Sequence, residues 1–366
     1  MSKTMGKLVV IILAVLVLVA IPLAAVCAKE ASAPAQEETT PAPAPTSPPA
    51  KVFHWKMQSQ HQAGTELYER YYIKNFANKL RVITNGQLDI TVYSKNALVP
   101  VKEAWKACSE GVFEVVAFTP SYASGTMPLG SMIYGLPGAL KDIGEILTFH
   151  ERGFGDLVRK EYNRIGLQYV ASAYDCGVGM ISTKPVRRLE DLKGMKVRHI
   201  GAIAALYEKL GAAVVRIPSG ELYTALQTRV IEGAGYGAAK AMKDLGLQEV
   251  AKYYMLPHLL SVQECLTIAV NLEAWNSLPD NLKQAFQAVA VKAGLEYWKE
   301  RHQGTLVALR EFKEKWGVTV TVLPEEDVAK ITKVAESVWD EFAKKDAACA
   351  EGVKMLKAYL KDLGRL

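Results

Sequence analysis

The stretch that most constrains the fold is residues 184–237, KPVRRLEDLKGMKVRHIGAIAALYEKLGAAVVRIPSGELYTALQTRVIEGAGYG. It reads as strand, helix, strand, helix, strand, separated by short turns. A short polar helix closes at Gly194, and residues 195–199 form a strand. Ile203, Leu206 and Leu210 then recur at helical spacing, and residues 214–217 form a second strand. Ser219 is placed to cap a second helix, with Glu221 in its first turn and Leu222, Leu226 and Val230 as its buried face. A βαβαβ unit with such short connections requires parallel strands with helices packed on the sheet. Open sheets of this kind bind ligands outside the strand C-termini, and the residue delivered there is Arg198.

Composition narrows the class. A chain of 366 residues, half of them hydrophobic, fills one large or two medium cores. The formal charge of +6 is interleaved with acids along the chain, whereas a nucleic-acid binder concentrates its basic residues on one face. No nucleic-acid partner is expected.

Residues 1–27 carry Lys3 and Lys7 ahead of a long apolar run, the pattern of a secretory signal or an uncleaved anchor. Signal-peptidase cleavage after Ala28 competes with a lipobox-like Ala24-Ala25-Val26-Cys27, which would place a lipid on Cys27. Residues 28–50, rich in Ala and Pro, build no core and read as an extended tether. A tether implies a fixed end, so the expectation is a periplasmic or cell-surface protein outside the cytoplasmic membrane. Cys108, Cys176, Cys265 and Cys349 are widely spaced, with no CxxC and no metal-ligand pattern. They read as small buried residues, and neither a metal nor a cofactor is expected.

Beyond the opening unit, strands are expected at 52–57, 88–93, 112–118, 168–174, 180–183, 263–271 and 318–323, with helices between them. Residues 238–254 read as helical, residues 273–316 as long helices and residues 325–366 as helical. Asp175-Cys176-Gly177-Val178-Gly179 reads as a crossover between lobes, and 263–271 as a strand crossing back. The expected architecture is α/β and two-lobed: 51–174 with about 264–300 in lobe 1, and 175–263 with about 301–366 in lobe 2. A cleft between lobes is the default ligand site.

Several segments in this order resemble the extracytoplasmic solute-binding subunits of TRAP transporters, the DctP-type family. They are Phe76-Ala-Asn-Lys-Leu with Asn85-Gly-Gln-Leu-Asp-Ile-Thr-Val-Tyr, Ala97-Leu with Ala104-Trp and Gly111-Val-Phe-Glu-Val, and Lys184-Pro-Val with Leu189-Glu-Asp-Leu-Lys-Gly-Met-Lys-Val-Arg198. Ser219-Gly-Glu-Leu-Tyr-Thr-Ala-Leu-Gln-Thr-Arg-Val-Ile-Glu-Gly-Ala and Asn271-Leu-Glu-Ala-Trp-Asn-Ser-Leu-Pro complete the likeness, which spans roughly residues 51 to 340. The resemblance implies a periplasmic-binding-protein-like fold with strands crossing between lobes and a long bridging helix. It also implies closure on an organic acid, delivery to membrane TRAP permease subunits and no catalysis.

The family's carboxylate-binding arginine falls on Arg198. A guanidinium presents a planar fork that matches a carboxylate, which lysine cannot do. Sialic-acid and some dicarboxylate members carry added charged or polar groups on the preceding crossover strand; here that region is Gly177-Val178-Gly179-Met180. A branch that binds 2-oxo acids through a metal uses a Glu-Trp pair after the third strand and a further Glu; here those positions are Gly235-Tyr236 and the neighbourhood of Ser261. Hard cations want several oxygen ligands, so a metal-bridged ligand is not expected. Arg198 as the only fixed charge, with Tyr236 beside it, points to a monocarboxylate with an apolar or aromatic body. Gln60, Asn96, Ser121 and Tyr122 in loops at strand ends, and Tyr174 and Gln263 at the crossover, are further candidate contacts, each equally explicable as a turn, cap or core residue. His199 beside Arg198 reads as structural, with a ligand role open.

A membrane-tethered enzyme or sensor acting on a small carboxylic acid is the rival class. The chain has no GxSxG, HExxH or P-loop. Its loose G-x-G-x-x-A at Gly233–Ala238 follows a third strand rather than the first β–α turn of a dinucleotide site.

Overall fold

The computed structural model describes residues 51–366. The expected leader, the tether and Cys27 lie outside the described residues. The described residues form one compact unit. Its strands are β1 (Phe53–Gln58), β2 (Leu88–Tyr93), β3 (Val115–Phe118), β4 (Leu167–Asp175), β5 (Val178–Ser182), β6 (Lys196–Arg198), β7 (Ala213–Val215), β8 (Gly233–Gly235), β9 (Tyr253–Leu260), β10 (Gln263–Asn271) and β11 (Thr319–Val322). They build two sheets, one in the order β2-β1-β3-β10-β4 and the other β11-β9-β5-β8-β6-β7. The two-lobed α/β architecture is therefore present, one sheet to each lobe.

The βαβαβ unit forms as its sequence pattern requires. β6 pairs in parallel with β7 on one side and β8 on the other, and the helix Gly201–Lys209 buries Ile203 and Leu206. The second helix departs from expectation. A 3-10 turn at Ser219–Glu221 leads into the helix Leu222–Gln227, and no side chain caps it. The chain leaves the helix through Arg229, which adopts a left-handed φ of 61°, so Val230 turns outward and is 57 % exposed. Ala225 joins Leu222 and Leu226 on the buried face instead.

Residues 238–254 are not one helix. Helices Ala239–Asp244 and Leu247–Val250 are followed by β9, whose sequence YYMLPHLL lies between β5 and β11. The 65–81 segment winds as a π-helix over Tyr68–Ala77 before the α-helix Asn78–Ile83. Four cysteines, Cys108, Cys176, Cys265 and Cys349, are free thiols among the described residues.

Two connections carry the chain between sheets. β4 runs into β5 through Cys176-Gly177, and β9 runs into β10 through Ser261-Val262. They lie side by side, with Gln263 opposite Asp175 and Leu260 opposite Val178. Gly177 permits this approach: its φ is +79°, and a Cβ there would stand 1.9 Å from the Leu260 carbonyl oxygen.

The third tie is the helix Asp280–Trp316, which starts after Leu278-Pro279 and runs 37 residues. Its N-terminal half packs Phe286, Val289, Ala290, Ala293 and Tyr297 against the first sheet. Further along, Ala308 and Phe312 join the core of the second sheet with Ile181 and Tyr254. The helices Glu325–Ala343 and Ala347–Asp362 pack on each other; the first also meets Gly201–Lys209, and the second meets Leu129–Tyr134 and Gly155–Arg164.

Candidate functional site

A cavity of about 610 Å³ opens where the strand ends, the crossovers and the long helix meet. From the first lobe it takes Gln60, His61 and Gln62 after β1, and Lys95 after β2. The second lobe supplies Arg198 and His199 at the end of β6, with Gly235, Tyr236 and Gly237 at the end of β8. Tyr297 and Arg301 come from the long helix.

Arg198 is 5 % exposed, and all three strands of the parallel unit converge on it. Its Nε donates to the Ile217 carbonyl, just past β7, at 3.0 Å, and its Nη1 donates to the Gly235 carbonyl at the end of β8 at 2.9 Å. These two bonds fix the plane of the guanidinium and leave Nη2 free. Among the described residues no carboxylate lies within salt-bridge distance of it. Burial pulls its pKa down from the ordinary arginine value, against the opposing influence of Tyr236 and Tyr134. Arginine remains charged through any such shift. A buried, oriented guanidinium without an acidic partner at a cavity wall has the chemistry to receive an anion.

A second charge group faces the same cavity. Arg301 Nε and Nη2 donate to Asp175 Oδ2 at 3.1 and 3.0 Å, while Asp175 Oδ1 accepts from the Cys176 backbone N–H at 2.7 Å. Arg198 is therefore not the only fixed charge at the site, contrary to expectation. This pair neutralises itself, and Lys95, exposed at the first-lobe wall of the cavity, adds a further positive charge. His61 is neutral: burial, aided by the charges of Arg301 and Lys95, lowers its pKa to about 4. Its Nδ1 lies 3.0 Å from the Tyr72 hydroxyl.

Of the residues singled out in the sequence, Arg198, Tyr236, Gln60, Tyr122 and Gln263 are brought together around this cavity. Gln60 is held by the Thr119 hydroxyl, which donates to its Oε1 at 2.9 Å. Asn96, Ser121 and Tyr174 stand apart from the cavity lining. Asn96 has a φ of 64°, and its Oδ1 accepts from the Val101 N–H at 2.8 Å, which is a turn role. Ser121 sits in the short 3-10 helix Pro120–Ala123. Tyr174 is packed with Ile146 and Val262. Sequence reasoning missed Asp175, Arg301, His61, Lys95 and Tyr134. For His61 the signal was its place next to the candidate Gln60; for Asp175, its position at the head of the crossover.

The donor set does not fit a bridging hard cation. Gly235 brings no side chain, and the Ser261 hydroxyl turns back to donate to the His258 carbonyl at 3.0 Å. Among the described residues no three His, Cys, Asp or Glu side chains converge on one point.

Residues 59–346 match the family described as bacterial extracellular solute-binding protein, family 7. A monocarboxylate 2-oxoacid-binding periplasmic protein of Nostoc sp. is 26 % identical over 288 residues, covering 78 % of this chain and 79 % of that protein. Among solved structures, a TRAP periplasmic solute-binding protein from Rhodobacter sphaeroides, in an apo open structure, is 28 % identical with a TM-score of 0.76, covering 86 % of this chain and 99 % of its own. One from Colwellia psychrerythraea, with bound calcium and pyruvate, is 25 % identical with a TM-score of 0.74, covering 86 % of this chain and 95 % of its own. With the family match spanning most of the chain and the two-sheet fold in place, the protein belongs to the bacterial extracellular solute-binding protein family 7, the solute-binding proteins of TRAP transporters.

Proposed function

We propose that the protein captures a monocarboxylate with an apolar or aromatic body in the cavity and delivers it to a TRAP-type membrane permease, without chemical turnover. The observation that carries this reading is Arg198, buried and oriented by two carbonyls yet free of any acidic partner among the described residues. A ligand carboxylate can take its outer N–H groups as a two-pronged pair. The self-neutralised Asp175–Arg301 pair leaves one uncompensated buried cation, the match for a single carboxylate. Tyr122, Tyr134, Tyr236 and Tyr297 supply apolar ring surface for the ligand body. The name of the Nostoc relative, a binder of monocarboxylate 2-oxo acids, supports the ligand class.

The lobes of this reading divide where the chain crosses between the sheets, next to Asp175 and Gln263. The helix Ala347–Asp362 goes with the first lobe, on whose helices it packs. We also infer that the protein works outside the cytoplasmic membrane, held by its N-terminal segment or by a lipid on Cys27. Calorimetry against a panel of organic acids tests the assignment. Saturable heat with one apolar monocarboxylate and no product formation is expected, whereas binding confined to dicarboxylates or sugar acids overturns it.

A further inference from the structure

The first-lobe wall of the cavity carries one polar atom that the fold orients and leaves open. His61 follows β1, and its backbone carbonyl accepts from the Lys95 backbone N–H at 2.9 Å, which joins the loops after β1 and β2. Its ring is half-buried and lines the cavity. The Nδ1 lies 3.0 Å from the hydroxyl of Tyr72, a residue with no exposed surface. Among the described residues Nδ1 is the only acceptor within hydrogen-bond reach of that hydroxyl, so the phenolic proton goes to Nδ1. A ring kept neutral by burial and by the charges of Arg301 and Lys95 then carries its own hydrogen on Nε2. Nε2 has no partner among the described residues, and it is not sealed off as the two nitrogens of His199 are. The outcome is a neutral N–H donor of fixed tautomer at the cavity, on the other lobe from Arg198.

We propose that His61 is a second ligand contact, which donates its Nε2–H to an uncharged oxygen at the end of the ligand remote from the carboxylate held by Arg198. The two poles of the cavity differ in kind. Arg198 is a buried cation, whereas His61 is neutral and its charged neighbour Lys95 is exposed, where solvent screens it. A carboxylate at the His61 pole would lose water with no buried cation to replace it, and an uncharged oxygen loses far less. A keto or ether oxygen accepts from Nε2–H, while a methyl or methylene group leaves that donor unmet. A site built to hydrogen-bond a group of its ligand discriminates against the analogue that lacks it. The proposal rests on the Arg198 clamp, and its test separates the two.

The probes are two pairs of acids matched in size, 4-oxopentanoate with 4-methylpentanoate and 4-methoxyphenylacetate with 4-ethylphenylacetate, together with the dicarboxylate 1,4-phenylenediacetate. Affinity is measured by calorimetry near neutral pH with the purified full chain. In the wild type the oxygen-bearing acid of at least one pair should bind about tenfold tighter than its partner, the size of one net hydrogen bond. His61→Asn keeps an acceptor for the Tyr72 hydroxyl but ends short of the Nε2 position, and it should level that pair. His61→Gln, whose amide reaches the Nε2 position, should restore part of the preference; thermal unfolding checks that both variants fold. A preference absent from both pairs in the wild type, or one that survives in His61→Asn, overturns the inference while leaving the clamp standing. A preference lost in Lys95→Gln and kept in His61→Asn overturns it too, by moving the donor to Lys95. Tightest binding by 1,4-phenylenediacetate, failure of all five acids to bind, or undiminished binding by Arg198→Ala overturns the monocarboxylate clamp itself.

Discussion

Asp175 and Arg301 form a two-pronged ion pair across 126 residues of sequence, joining the end of β4 to the long helix with both side chains largely buried. The pair stands where the chain first leaves one lobe for the other. Its geometry ties the crossover to the helix that spans both lobes, and it shapes the cavity without adding net charge.

Breaking this pair from one side leaves a buried charge without a partner. Arg301→Met or Asp175→Ala should each cost about 3–5 kcal/mol of stability, while the double variant should cost less than either alone. Urea denaturation of the three variants checks the order. Equal additive losses would show that the two side chains act independently.

Arg198, the proposed receptor, is also a structural donor. Arg198→Lys should reduce ligand affinity by about tenfold to a hundredfold, because a lysine keeps the charge and loses the fork. Arg198→Ala should abolish binding and also leave the Ile217 carbonyl without its side-chain donor, costing about 1–3 kcal/mol of stability. Calorimetry and denaturation together separate the two effects.

One buried histidine, His199, and two half-buried ones, His61 and His258, set an acid limb. Burial lowers the pKa of His61 to about 4 and of His199 to about 3, and it lowers that of His258 as well, all from an ordinary value of 6.5. Below pH 6.5 the unfolded chain takes up protons that the folded chain refuses, so stability must fall as pH drops. It should be flat with respect to these groups above about pH 7 and decline toward pH 4, by at most about 1.4 kcal/mol per pH unit for each histidine. A stability profile of His199→Phe should show a shallower decline over the same interval. An unchanged slope would mean that His199 titrates normally in the fold.

Gly177→Ala puts a methyl group against the Leu260 backbone in a left-handed conformation. Because the contact is with backbone, no rotamer change relieves it. A loss of stability of about 1–3 kcal/mol is expected, read as a lower Tm. Gly194→Ala, at a positive φ but with open space around it, should cost less.

The parallel unit and Arg198 were legible because they are local: period, turn glycines and a strand-end charge all fall within residues 184–237. β9 was not legible, since YYMLPHLL is an apolar run without the alternation that separates a buried strand from a buried helix. Tyr174 and Asp175 show why contacts at a strand end are harder to read. Successive side chains face opposite ways, and here Asp175 reaches the cavity while Tyr174 enters the core. The Arg301 partnership and the unmet nitrogens of His199 depend on residues distant in sequence, so no local pattern records them.

The position of β10 bears on the order in which the protein is made. In the first sheet β10 lies between β3 and β4, although the whole of β5 to β9 is synthesised before it. On the ribosome, β3 and β4 emerge with the slot between them unfilled, their facing N–H and C=O groups lacking partners. Five of the six strands of the second sheet are already available at that stage. The C-terminal part of the chain thus completes the N-terminal lobe. Its hydrophobic core cannot close until residue 271 has left the exit tunnel.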